Sequence, residues 1–96
     1  MKEINDTLNE RGSRYGEYEN HAKLTYELKD AFYSHQKIFS STKLESQHKE
    51  AIDLILHKLA RIANGDPNYD DNWIDIAGYS TLVVKWLNKS VLNHVN

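Results

Sequence analysis

Apolar residues recur every three or four positions along most of this chain, the period of an α-helix. The two-residue alternation of a half-buried strand is almost absent, the nearest approach being the Val83-Val84 pair. From about Glu17 to Phe39, Leu24, Leu28, Ala31, Phe32 and Phe39 fall on one face, with Lys23, Glu27, Asp30, Ser34 and Lys37 opposite, which predicts a first long amphipathic helix. Thr42, with Glu45 three residues on, has the form of a capping box and predicts the start of a second helix. That helix should run to about Ala63, where Asn64-Gly65 offers a left-handed C-terminal cap and Asp66-Pro67 a stop. Ile52, Ile55, Leu59, Ile62 and Ala63 take one side of it; Glu50, Asp53, His57 and Arg61 line up on the other, as a solvated face would.

A third long helix is expected from Asp70 or Asp71, its N-cap, to about Leu92, fraying from Lys89 onward. Trp73, Ile76, Ala77, Tyr79, Val83, Trp86 and Leu87 share its expected inner face. A short helix over residues 2–10 and a loop at Arg11-Gly12-Ser13-Arg14-Tyr15-Gly16 precede the long helices. These elements predict an all-α fold: an antiparallel helical bundle of three long helices (17–92) plus a short N-terminal helix and loop (1–16), in one domain spanning 1–96.

Composition narrows the function classes. Twelve Lys and Arg against fourteen Asp and Glu give a net charge of -2, which disfavours a protein that coats duplex DNA. Direct DNA binding through a helix-turn-helix is disfavoured too, because the Asn64 to Asp71 connection is longer than that motif's turn and acids open the third helix. Zero cysteines remove disulfides and thiolate zinc sites, and the five histidines form no His-Glu-x-x-His run. With no apolar run near the ~18 residues of a membrane span, a cytoplasmic protein with no membrane association is expected. A chain this short buries only about 60% of its surface on folding, so a homo-oligomer is expected.

Candidate chemistry sits on the second and third long helices. Glu50-x-x-Asp53 and Asn72-x-x-Asp75 are two i, i+3 pairs that facing helices would bring together, and oxygen ligands of that kind suit Mg²⁺. Asp75 lies in line with Tyr79 and Trp86, and a carboxylate beside aromatic side chains needs a partner. His21 and His35 project toward the apolar side of their helix, where hydrogen-bonded core histidines are expected.

The paired acidic motif resembles the all-α nucleotide pyrophosphohydrolases typified by MazG, whose pattern is Glu-x-x-Glu, a spacer, then Glu-x-x-Asp. The resemblance covers about residues 44–88, with Asp53 in place of the second Glu and Asn72 in place of the third. It implies a MazG-like fold and Mg²⁺-dependent hydrolysis of a nucleoside triphosphate, with Glu50, Asp53 and Asp75 as catalytic residues and Asn72 an accessory metal ligand. Arg11, Arg14, Lys58 and Arg61 would then pair with phosphate oxygens, and Tyr15, Tyr69 or Trp73 would stack on the base. The stretches Arg11 to Gly16 and His57 to Tyr79 resemble, at greater length, a family of short phage and prophage proteins, which implies action in the cytoplasm of a bacterial host. The expected function is nucleotide binding with hydrolysis in prospect. The alternative is a non-catalytic helical protein that binds and inhibits a host protein such as a defence complex or a transcription component.

Overall fold

A computed structural model describes residues 2–40 and 42–95, and the side chains of residues 3–40 and 42–89. Its elements are α1 (Lys2–Tyr15), α2 (Tyr18–Phe39), α3 (Ser46–Asn64) and α4 (Asp70–Val95), with no strand among the described residues. The expected loop at Arg11 to Tyr15 is instead the last turns of α1, because Gly12 costs a helix only about 1 kcal/mol and the chain breaks at Gly16, where φ is +84°. The α3 cap also differs from expectation. His48 Nδ1 accepts the Glu45 N–H at 3.0 Å, so the reciprocal cap is Glu45/His48, and Thr42 lies outside the helix. Helix α4 continues past Leu92 to Val95; the side chains on which the expected fraying would act lie outside the described residues.

Helix α3 is the shared centre. His57 and Asp53 meet His21 and Tyr33 of α2, so ascending residues on one helix meet descending residues on the other. Lys58 and His48 meet Asp75 and Trp86 of α4 in the same sense. Among the described residues α2 and α4 do not touch, so the three long helices form a layer with α3 in the middle. Helix α1 packs across α2 and α3 at one end.

This layering reassigns the helix faces. On α3 the expected solvated line is mostly enclosed: Asp53, His57 and Arg61 are half-buried, and Lys58 is only 8% exposed. Leu59 and Ala63, on the expected core side, are exposed. On α4 the row Asn72, Ile76, Tyr79, Val83 and Trp86, spaced 4-3-4-3, packs toward α3. Trp73, Ala77 and Leu87, also expected inside, belong to a neighbouring row that stays exposed, with Trp73 donating its indole N–H to the Pro67 carbonyl at 2.9 Å. The reason is geometric: one neighbouring helix covers only part of a broad apolar arc, and each outer helix of the layer packs on one long neighbour, α3.

Two glycines hold α1 against the end of α3. A Cβ on Gly16 would overlap the backbone carbonyl of Asn64, and a Cβ on Gly65 would overlap the carbonyl of Arg14. Between these contacts the Asp66 N–H donates to the Arg14 carbonyl at 2.8 Å. Gly65 is therefore not the left-handed cap expected from Asn64-Gly65; its φ is -123° and its missing side chain serves close approach. Gly12 and Gly78 face open space on their helices. Gly16→Ala and Gly65→Ala should each destabilise the fold by about 2 kcal/mol or more, whereas Gly12→Ala and Gly78→Ala should leave it unchanged or raise stability by up to ~1 kcal/mol. Urea midpoints of the four variants check this contrast.

Candidate ligand-binding site

Where α1 ends against α3, basic and aromatic side chains alternate. The Arg61 guanidinium lies 4.2 Å from the ring centre of Tyr15, and that of Arg14 lies 4.3 Å from the ring centre of Tyr69. Tyr15 and Tyr69 meet edge to face, with centroids 6.1 Å apart. The result is a ladder, Arg61, Tyr15, Tyr69, Arg14, drawn from three parts of the chain. The last turn of α1 supplies Arg14 and Tyr15, and α3 supplies Arg61. Tyr69 comes from the α3–α4 loop, which Asp66 shapes by accepting the Asn68 N–H at 2.9 Å.

Two hollows flank the ladder. A cavity of about 550 Å³ is walled by Arg11, Tyr15, Tyr18 and Arg61, with His21 at its inner side. A smaller one of about 210 Å³ reaches Arg11, Arg14, Tyr69 and Glu10. Glu10 takes part of the Arg14 charge through a 3.4 Å ion pair, while no acidic partner within ion-pair distance engages Arg11 or Arg61 among the described residues. A guanidinium stacked by one face on a tyrosine keeps its N–H edge free to donate two parallel hydrogen bonds to a pair of anion oxygens, the contact arginine makes with phosphate.

The inner side of the cavity is a histidine pair. His21 Nε2 and His57 Nδ1 lie 3.1 Å apart with their rings nearly perpendicular, and His21 Nδ1 is buried with no hydrogen-bond partner among the described residues. The contact requires one ring to offer a lone pair, so double protonation would set two N–H donors face to face. Burial, followed by the charge of Arg61, lowers the proton affinity of both rings, and His57 is lowered to about 4, with Lys58 and Lys29 adding to the effect.

The four residues expected to hold Mg²⁺ do not converge. Glu50 is exposed and lines a groove with Ala51, Tyr79 and Trp86. Asp53 turns toward α2 and accepts the Tyr33 hydroxyl proton at 2.7 Å; burial and this carboxylate together raise the Tyr33 pKa. Asp75 pairs with Lys58 at 2.7 Å on the α4 side of α3. Asn72 is 0% exposed, and neither its amide oxygen nor its nitrogen has a partner among the described residues. Among the described residues no group of three or more His, Asp or Glu stands close enough to hold a metal ion.

Of the five residues expected to bind a nucleotide, Arg11, Arg14, Tyr15 and Arg61 come together, and Lys58 does not, being held by Asp75. Tyr69, a candidate for base stacking, joins them, and Trp73 points elsewhere. The His21–His57 contact and Tyr18 were not anticipated. His21 stands on the side of α2 nearest its apolar face, a position that hints at burial without naming the partner. His35, assigned to the same side, is exposed and stacks on Phe39 at 4.5 Å.

Residues 1–86 match the model of the family described as Domain of unknown function (DUF6378), and the chain belongs to that family. No curated protein and no solved structure matches it.

Breaking the Lys58–Asp75 pair by Asp75→Asn should cost about 3 kcal/mol, since it leaves an ammonium enclosed without its partner, whereas Lys58→Met with Asp75→Leu should recover most of the loss. Chemical denaturation of the single and double variants reads this directly. The histidine pair sets a pH dependence of its own. Its folded-state pKa lies below the ordinary 6.5, so the unfolded chain binds more protons as pH falls, and the pair's contribution, complete above 6.5, declines toward about 4. Unfolding midpoints between pH 7.5 and 4.5 should fall more steeply for the parent chain than for His57→Gln.

Proposed function

We propose that this protein binds a nucleotide, with the phosphates on Arg11 and Arg61 and an aromatic wall of Tyr15 and Tyr18 against the base. The observation that carries this reading is the convergence of two arginines, Arg11 and Arg61, and two tyrosines, Tyr15 and Tyr18, from separate segments on one cavity of about 550 Å³, within the ~300–1,000 Å³ of small-molecule sites. Arg14, steadied by Tyr69 and Glu10, supplies positive charge at the second hollow, where a longer phosphate chain would extend. The nucleotide reading thus rests on the arginine ladder. Mg²⁺-dependent hydrolysis has no comparable support, because Asp53 and Asp75 are engaged by Tyr33 and Lys58 on different sides of α3.

The MazG-like relationship and the antiparallel bundle belong to this proposal. Their support is the oppositely directed contacts of α2 and α4 with α3 and the inward position of Asp75. Action in a bacterial host cytoplasm follows from the phage resemblance and is proposed on that footing. No helix of the described residues is long and apolar enough to cross a membrane, in keeping with a ligand met in water.

Calorimetric titration with ribo- and deoxyribonucleoside mono-, di- and triphosphates, in Mg²⁺ and again in EDTA, tests the reading. The expected result is binding whose affinity rises with phosphate number, survives chelation, and falls about 10- to 100-fold in Arg61→Ala and in Arg11→Ala, the loss of one charge-assisted contact each. Absence of binding at millimolar nucleotide would end the proposal. Pyrophosphate release that requires Mg²⁺ would show that the acidic residues rearrange into a metal site.

A further inference from the structure

The layer of three helices leaves one face uncovered, and that face is apolar on all three. On α3 it consists of Ile52, Ile55, Leu59 and Ile62, spaced 3-4-3; Leu59 is 38% exposed and the other three are half-buried. On α4 the row Trp73, Ala77, Ser80, Val84 and Leu87, spaced 4-3-4-3, lies a little over a quarter turn from the row that meets α3, and Val84 is 54% exposed. On α2 the row Leu24, Leu28, Ala31, His35 and Ile38 has the same 4-3-4-3 spacing, a similar turn from its α3 contacts at His21, Thr25 and Tyr33. Because α2 and α4 both run opposite to α3, these offsets carry the three rows to the same side of the layer. Arg61 and His57, which meet α1 and the cavity, are on the other side.

We infer that this face is the interface of a homodimer, each copy laying its three rows on those of the other about a two-fold axis. The first argument is the missing core. Ala51 and Ala60 are the only buried apolar side chains among the described residues, with no large apolar side chain buried. The radius of gyration is 16.7 Å, against the about 12–13 Å of a compact chain of this length. The second is self-complementarity. A two-fold interface sets a face against itself, so a charge near the axis meets its own sign; these rows hold no Asp, Glu, Lys or Arg, only His35 being titratable. The third is area. Three helices abreast at about 9 Å spacing, over the ~28 Å length of α3, offer roughly 800 Å² per copy, the amount a stable dimer buries on each side. Rows at 3-4 spacing on aligned helices also interdigitate at small crossing angles. No stretch of the described residues is left to cover the face.

This inference is independent of the nucleotide reading. Sedimentation equilibrium and thermal unfolding of the full chain over 1–100 µM test it. The expected mass is twice the 11.2 kDa of the chain, with a Tm that rises with concentration, as it does only when association and folding are linked. Leu59→Glu and Val84→Glu, each on the face, should give a monomer or an unfolded chain. Tyr26→Glu, 74% exposed on the side of α2 away from the face, should leave a dimer. A parent chain that is monomeric at 100 µM with a concentration-independent Tm would overturn the inference. So would a dimer that persists unchanged in both face variants, since it would then be built on another surface.

Discussion

The candidate site depends on a backbone contact rather than on any side chain. Gly16 and Gly65 let the turn after α1 lie directly on the end of α3, with the Asp66 N–H to Arg14 carbonyl bond fixing their register. That contact places Tyr15 beneath Arg61 and brings Tyr69 within reach of Arg14. Side chains alone would not do so: an arginine on a tyrosine is worth about 0.5–1 kcal/mol at an exposed site, too little to order two segments. The close backbone approach fixes the geometry first, and the ladder forms on it. The Arg-Gly-Ser-Arg-Tyr-Gly and Asn-Gly-Asp-Pro stretches are thus two halves of one joint.

Helix α3 serves three neighbours with three kinds of chemistry. Toward α2 it offers Asp53 and His57, answered by a tyrosine hydroxyl and a neutral histidine. Toward α4 it offers Lys58, answered by Asp75. Toward α1 it offers Arg61, seated on the Tyr15 ring, and a further side carries Ile52, Ile55, Leu59 and Ile62. Polar contacts of this kind specify which helix packs where, because a misplaced partner would leave a half-buried charge or ring nitrogen unanswered. They add little net stability, which places the burden of stability on the apolar rows.

The same ion pair bears on metal chemistry. A carboxylate held 2.7 Å from an ammonium already has a cation at its oxygen, one that brings no open coordination position for water or substrate. With Asn72 in the next turn of α4 contributing no charge, Asp75 and its neighbourhood are arranged around Lys58.

The sequence by itself determined the helical content, the breaks near Ser40 and Gly65, and the presence of apolar rows, because helical period and punctuation are local properties of the chain. The end of α1, at Tyr15, fell five residues later than the stop at residue 10 that Gly12 suggested. It also brought Arg11, Arg14, Tyr15 and Arg61 into one candidate set, since cationic and aromatic residues near loops are visible without a fold. Only the tertiary structure decided that Lys58 faces inward, that the line Asp53, His57 and Arg61 is enclosed, and that Leu59 and Trp73 are left exposed. The physical reason is that periodicity reports the existence of a face and not its neighbour. Which arc of each helix is covered follows from long-range pairs such as His21–His57 and Lys58–Asp75, whose partners lie on different helices and leave no trace in local spacing.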